Sequence, residues 1–188
     1  MSEQKRCSWA ANGDAVMLAY HDDEWCKPSY EDTYLFELLN LEGAQAGLSW
    51  RTILNKRAGY QEAFLQFDID ACAKLTDEEL ADIVSNAAII RNKAKVNAVR
   101  TNAQATQKVQ AEFGSFSKYM WHFTDDKVMN HQLSEDQEMP AKDELSERVS
   151  KDMKKRGFKF VGPVIVYSYL QAIGVINDHA VTCAYNQQ

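Results

Sequence analysis

The run from Leu35 to Trp50 limits the fold more than any other stretch of this chain. Leu35, Phe36, Leu38, Leu39 and Leu41 form an apolar helix that leads into Glu42-Gly43-Ala44-Gln45-Ala46-Gly47-Leu48-Ser49-Trp50. Glycine in or beside a helix costs about 0.5–1 kcal/mol relative to alanine. Two glycines within five residues, in a chain with only eight, therefore point to a close backbone approach or a turn. Glu42 follows the apolar run, so its carboxylate starts from a buried surface. An acid beside an indole, with space left by glycine, suits a pocket for a flat, electron-poor ring. The alternative is that Glu42 caps the next segment and Trp50 is ordinary core.

The rest of the chain reads as helices with recognisable ends. Asp14 caps a short helix, Ser29 or Asp32 starts the apolar one, and Ser49 caps a third whose spacing continues through Tyr60, Phe64 and Phe67. Thr76-Asp77-Glu78-Glu79 is a capping box. Residues 87–94 interrupt that helix before a long one runs towards Phe113, with Gly114 as its C-terminal cap. Ser115 opens a short aromatic helix, and residues 124–140 read as a polar loop. Leu145, Val149 and Met153 mark a helix ending at Gly157, Gly162-Pro163 begins another ending at Gly174, and Asn177 or Asp178 caps a last short one. Period-two alternation is almost absent, which predicts an all-α fold. At 188 residues this is a single domain, 1–188, or two packed helical lobes with a pocket between them.

A net charge of −6 argues against indiscriminate coating of nucleic acid but leaves room for a confined basic face. No apolar run is long enough to span a membrane, and the first six residues lack a signal-like apolar region, which predicts a cytoplasmic protein. Cysteines in that compartment are thiols or metal ligands before they are disulfides. His179 and Cys183 lie four apart, on one face of the expected terminal helix. Cys7 and His21 would complete a Cys₂His₂ set, a tetrahedral composition suited to zinc. The competing reading makes Cys7 an ordinary thiol and His179 a hydrogen-bonded histidine. A set of four protein ligands would be structural, since catalytic zinc keeps an open position, and this disfavours a zinc hydrolase. Cys26 has no second ligand at useful spacing, and Cys72 reads as a small apolar side chain.

Four stretches taken together say more. Tyr20-His21-Asp22-Asp23-Glu24-Trp25, Leu41 to Trp50, Lys154 to Gly162, and Asn177-Asp178-His179 with Cys183 resemble the DNA-3-methyladenine glycosylase I family in order and spacing. The resemblance implies a helix-hairpin-helix glycosylase fold, base excision repair and a structural zinc ion, Zn2+, held by Cys7, His21, His179 and Cys183. It places the base pocket on Glu42, Tyr20 and Trp50, with Trp9 and Trp25 as further walls and Ser168 as a lining residue. Where the family pattern has other residues, this chain has Cys26, Ala88, Ala94 and Met17. A methyl at Ala88 or Ala94 would limit close approach of the hairpin backbone to a DNA phosphate.

The resemblance implies hydrolytic excision of 3-methyladenine from double-stranded alkylated DNA, without a lyase step, by a protein expected to be a monomer. Free 3-methyladenine is the product. Methylation at N3 makes adenine cationic and a good leaving group. Aromatic faces attract such a ring by about 0.5–2 kcal/mol each, and an ionised Glu42 could accept from its exocyclic amine. DNA contacts are expected from Arg91, Lys93 and Lys95 at the hairpin and from Lys154, Lys155, Arg156 and Lys159. Asp125 and Asp126 lie in a solvated turn and are not expected to act. A lesion-binding module of the same fold that does not cut is the alternative.

Overall fold

The computed structural model describes residues 5–186. Ten helices follow in order: α1 (Ser8–Ala11), α2 (Ala15–Asp23), α3 (Asp32–Gln45), α4 (Trp50–Ala63), α5 (Ile69–Ala73), α6 (Asp77–Ser85), α7 (Lys93–Phe113), α8 (Phe116–Trp121), α9 (Glu144–Lys155) and α10 (Pro163–Ala172). Their starts follow local chemistry. Asp14 accepts from the Met17 N–H, Ser49 from Thr52, Ser115 from Lys118, and Thr76 and Glu79 form the reciprocal capping box. Gly114 and Gly157 end α7 and the turn after α9 with φ of +91° and +92°.

Helix α3 is the axis of the molecule, with every residue from Leu35 to Ala44 buried. Glu31 caps it, in place of the Ser29 or Asp32 expected from sequence. Asp32 instead takes the N–H groups of Phe116 and Ser117, joining the starts of α3 and α8. The first glycine of the Glu42 stretch is a close approach and the second a turn. A side chain at Gly43 would come within 3.1 Å of Phe160, and Gly47 has φ +80°.

Two apolar clusters form the interior. The larger surrounds α3, α7, α8 and α10, and the smaller joins Cys7, Tyr20, Trp25, Cys26, Leu54, Ala180 and Cys183. Trp50 and Met139 pack against both, so they mark the seam.

Three expectations are corrected. The helix through Tyr60 ends at Ala63 and does not continue to Phe67. At Leu65–Phe67 the backbone turns left-handed, and Phe64 and Phe67 both reach the core, with ring centroids 5.7 Å apart. The fold is mostly helical rather than wholly so, because Met129–Asn130 and Ile176–Asn177 form a short parallel pair. The segment after Asn177 is a chain of turns, not a helix. Asn177 Oδ1 accepts from the His179 N–H, but its backbone is held in that pair, and the Asp178 carboxylate is taken by Tyr167, Gln171 and His131, so no helix follows.

Candidate functional site

The α3 helix delivers Glu42 to the seam between the clusters. Beside it lies a cavity of about 210 Å³ lined by Trp9, Met17, Tyr20, Trp25, Glu42, Gln45, Trp50, Met139, Ser168 and Gln171. All six residues expected to form a base pocket are therefore on one cavity, whose size suits a single planar ring system rather than a larger ligand. Ser168 and Gln171 come from α10, three residues apart on one helical face, a spacing that could have revealed Gln171. Met139 comes from the segment read as a loop, and no pattern in the sequence singles it out.

Tyr20 and Trp50 touch, with centroids 5.3 Å apart, so no ring can lie between them. They form one surface, and Trp9 and Trp25, packed edge to face at 4.9 Å, form another. Among the described residues, two buried side-chain polar atoms have no hydrogen-bond partner: Glu42 Oε2 and Trp50 Nε1. Each such atom costs about 1–3 kcal/mol, so an acceptor and a donor left unused on one cavity mark a place built for a polar ligand. Burial pushes the Glu42 carboxyl up to about 8. At neutral pH the cavity thus presents a neutral acid, where the sequence suggests a carboxylate.

Behind the aromatic wall, Cys7, His21, His179 and Cys183 converge with their donor atoms all within 4.8 Å of one another. Cys7 Sγ is 3.7 Å and Cys183 Sγ 3.5 Å from His179 Nδ1, and Cys183 Sγ is 3.7 Å from His21 Nε2. Tetrahedral zinc bonds of about 2.3 Å to sulfur and 2.0 Å to nitrogen place unlike donors about 3.6 Å apart, so the donor set fits. The free nitrogens are oriented as well. His21 Nδ1 lies 2.8 Å from the Asp22 carboxylate and His179 Nε2 lies 3.2 Å from the Trp25 carbonyl. Burial raises the Cys7 thiol and lowers both histidines, so metal binding there must expel thiol protons.

The Cys/His cluster and the cavity share a wall. His21 contacts the rings of Trp9 and Trp25, and His179 contacts Trp25. Tyr20 directly precedes His21 on α2.

The basic residues divide. Arg91 and Lys93 are exposed beside the turn between α6 and α7, and Lys154, Lys155 and Lys159 are exposed at and after the end of α9. Arg156 is committed elsewhere. It pairs with Asp152 and Glu112 at 2.7 Å and lies over Phe113 and Tyr119. Lys95 is also engaged, with Nζ donating to the carbonyls of Ala44 at 2.9 Å and Ala46 at 2.5 Å. It ties the first turn of α7 to the C-terminal end of α3, where a cation also meets the helix dipole. Ala88 sits with its carbonyl and methyl against Gly59 of α4, where a side chain at Gly59 would approach to 2.5 Å. Ala94 is exposed in the first turn of α7. Asp125 and Asp126 are in an exposed left-handed turn, as expected.

A Lys95→Met variant separates the two roles this lysine could have. Loss of a phosphate contact would reduce the slope of log affinity against log salt by about 0.9. The expected result is an unchanged salt slope with reduced turnover, because the loop carrying Gln45 and Trp50 loses its anchor.

The chain matches the methyladenine glycosylase family model over residues 9–187. It is 41% identical over 179 residues to DNA-3-methyladenine glycosylase 1 of Escherichia coli (strain K12), with 95% of each chain covered. It is 39% identical over 178 residues to the DNA-3-methyladenine glycosylase of Haemophilus influenzae, covering 95% of this chain and 96% of that one. Among solved structures, 3-methyladenine DNA glycosylase I from Staphylococcus aureus superposes with a TM-score of 0.93 at 36% identity over 97% of each chain. A variant of 3-methyladenine DNA glycosylase I in complex with 3-methyladenine gives a TM-score of 0.94 at 35% identity, over 97% of this chain and 98% of that one.

Proposed function

The chain belongs to the methyladenine glycosylase family, and on that premise we propose that the Glu42 cavity receives 3-methyladenine flipped out of alkylated DNA. The protein is a DNA-3-methyladenine glycosylase of base excision repair, an N-glycosyl hydrolase. The observation that carries the assignment of the site is a fully buried, unpartnered carboxyl on an aromatic cavity of single-base size.

The chemistry follows from the lesion. Flipping a base costs a few kcal/mol of stacking and pairing, which the cavity must return. A cationic base gains from the aromatic faces and from a Glu42 that ionises as the cation enters, giving up its proton to solvent. Its amine then donates a charge-assisted hydrogen bond, worth about 1.5–3 kcal/mol, to the carboxylate. Neutral adenine gains neither, so selection occurs through differential binding. Water attacks C1′ of the deoxyribose, the C1′–N9 bond breaks with its electron pair going to the base, and neutral 3-methyladenine leaves. No acid is needed to protonate the leaving group, because methylation has already supplied its charge.

The Cys7, His21, His179 and Cys183 cluster suits structural zinc, which when bound supplies cross-linking charge and no open coordination position. Free thiols throughout the described residues suit a reducing cytoplasmic setting. The α6–turn–α7 unit, with Arg91 and Lys93 exposed, supports a helix-hairpin-helix grip on the DNA backbone by a monomer.

The test is to incubate methylated duplex DNA with the protein and identify the freed bases. Release of 3-methyladenine is expected. Tight binding to lesion or abasic DNA without release would instead indicate a recognition module. Adding 3-methyladenine should also quench tryptophan emission, since three of the four tryptophans line the cavity.

A further inference from the structure

Gln171 is a polar residue on the apolar helix α10, and only 5% of its surface is exposed. Its amide nitrogen is spoken for twice, donating to Asp178 Oδ2 and to Met139 Sδ, each at 2.8 Å. Asp178 is fully buried and accepts from the Tyr167 hydroxyl as well, while its other oxygen is 2.7 Å from His131 Nδ1. A carboxylate accepts hydrogen bonds and does not donate them, so the NH₂ end of Gln171 must face Asp178. The orientation of this amide is therefore set by its surroundings. Its Oε1 has no protein partner, belongs to a residue lining the cavity, and is not among the sealed orphan atoms.

We propose that Gln171 is a specificity-determining residue of this cavity, an acceptor of fixed orientation that selects an amine-bearing purine edge over one bearing a carbonyl. The proposal rests on the reading of the cavity as the base site. Adenine carries an exocyclic amine at C6 where guanine carries a carbonyl oxygen. Glu42 makes that distinction only once it has ionised. As the neutral acid it has both a proton to donate and lone pairs to accept with, so it tolerates either group. An amide whose nitrogen is already engaged offers only its oxygen, at any pH, and sets that oxygen against the guanine carbonyl. Asp178, Tyr167 and His131 act behind it as positioning residues, since they hold the amide the right way round.

The experiment uses DNA methylated at N3 of both purines, with the released 3-methyladenine and 3-methylguanine quantified together. The wild-type protein is expected to favour 3-methyladenine. Gln171→Met keeps the length of the side chain and removes the acceptor, so it should narrow that preference by about tenfold or more at unchanged metal content. Asp178→Asn provides a second route. Its amide can donate to Gln171, letting that side chain turn over and present NH₂ to the cavity, which should move the ratio towards 3-methylguanine. A merely structural loss would lower both releases in proportion, and that result in Asp178→Asn would overturn the positioning role. An unchanged ratio in folded Gln171→Met would overturn the proposal while leaving the glycosylase assignment standing. Failure of the wild-type protein to release 3-methyladenine would instead remove the assignment on which the proposal rests.

Discussion

Replacing Glu42 with alanine or glutamine is expected to lower excision of 3-methyladenine, as kcat/KM, by about a hundred- to thousandfold, the scale seen when one preorganised polar group is removed from an active site. Affinity for undamaged DNA should stay close to that of the wild-type protein, because phosphate contacts lie on other elements. Equal loss of both would make Glu42 structural. The pH dependence gives a second, independent reading of the same residue. Burial raises the Glu42 carboxyl from its ordinary 4.5 to about 8, so between those values the folded protein retains a proton that the unfolded chain releases. Stability from the neutral acid is therefore fully present below about 4.5, falls as pH rises and is gone past 8. Glu42→Gln has no such proton to lose and should melt at a progressively higher temperature than the wild-type protein across that window. Activity should move in the opposite direction. A cationic lesion must drive Glu42 to ionise, so excision at subsaturating DNA should climb with pH and level off near 8. Glu42→Gln should lack that limb, and its persistence in the variant would assign the titration to another group.

Cys183→Ser is expected to eliminate bound metal and lower Tm by about 10 °C or more, since several kcal/mol are at stake and each shifts a protein of this size by about 2–4 °C. The damage should extend to the cavity. Trp9 and Trp25 rest on His21, and Trp25 also on His179, so quenching of tryptophan emission by 3-methyladenine should weaken with the loss of metal. Stripping the wild-type protein with a chelator should have the same effects, reversed on adding Zn²⁺, whereas Cys183→Ser should not recover. A stable, active, metal-free variant would show the ligand assignment to be wrong.

Much of this architecture was legible because it depends on short-range rules. Asp14, Ser49, Thr76 and Ser115 cap the helices their side chains predict, and the chain reverses at Gly114 and Gly157 as a left-handed residue allows. The residues that line the cavity could be singled out because several motifs agreed, with Glu42 near the end of an unbroken buried stretch. Long-range partnership was not legible. Asn177 and Asp178 look like helix caps in isolation and are drawn instead into contacts with Asn130, Tyr167, Gln171 and His131. The partners of Arg156 and Lys95, which are Glu112 and Asp152 for the one and the carbonyls of Ala44 and Ala46 for the other, were likewise not to be read from the sequence. The contact between Tyr20 and Trp50 was equally invisible, since their separation in the sequence says nothing of ring packing.

Near the Cys/His cluster, the N–H of Ala184 donates to the carbonyl of Lys5 at 2.8 Å, so distant parts of the chain run side by side. A short engineered peptide joining the chain just before Lys5 to the chain just after Asn186 would close the segment between them into a ring and keep this pairing. Such a ring would hold Cys7 and Cys183 together by covalent bonds alone. It would show whether a metal held by the Cys/His cluster acts only as a clasp, because a circular protein stripped of metal should then keep its tryptophan walls in place.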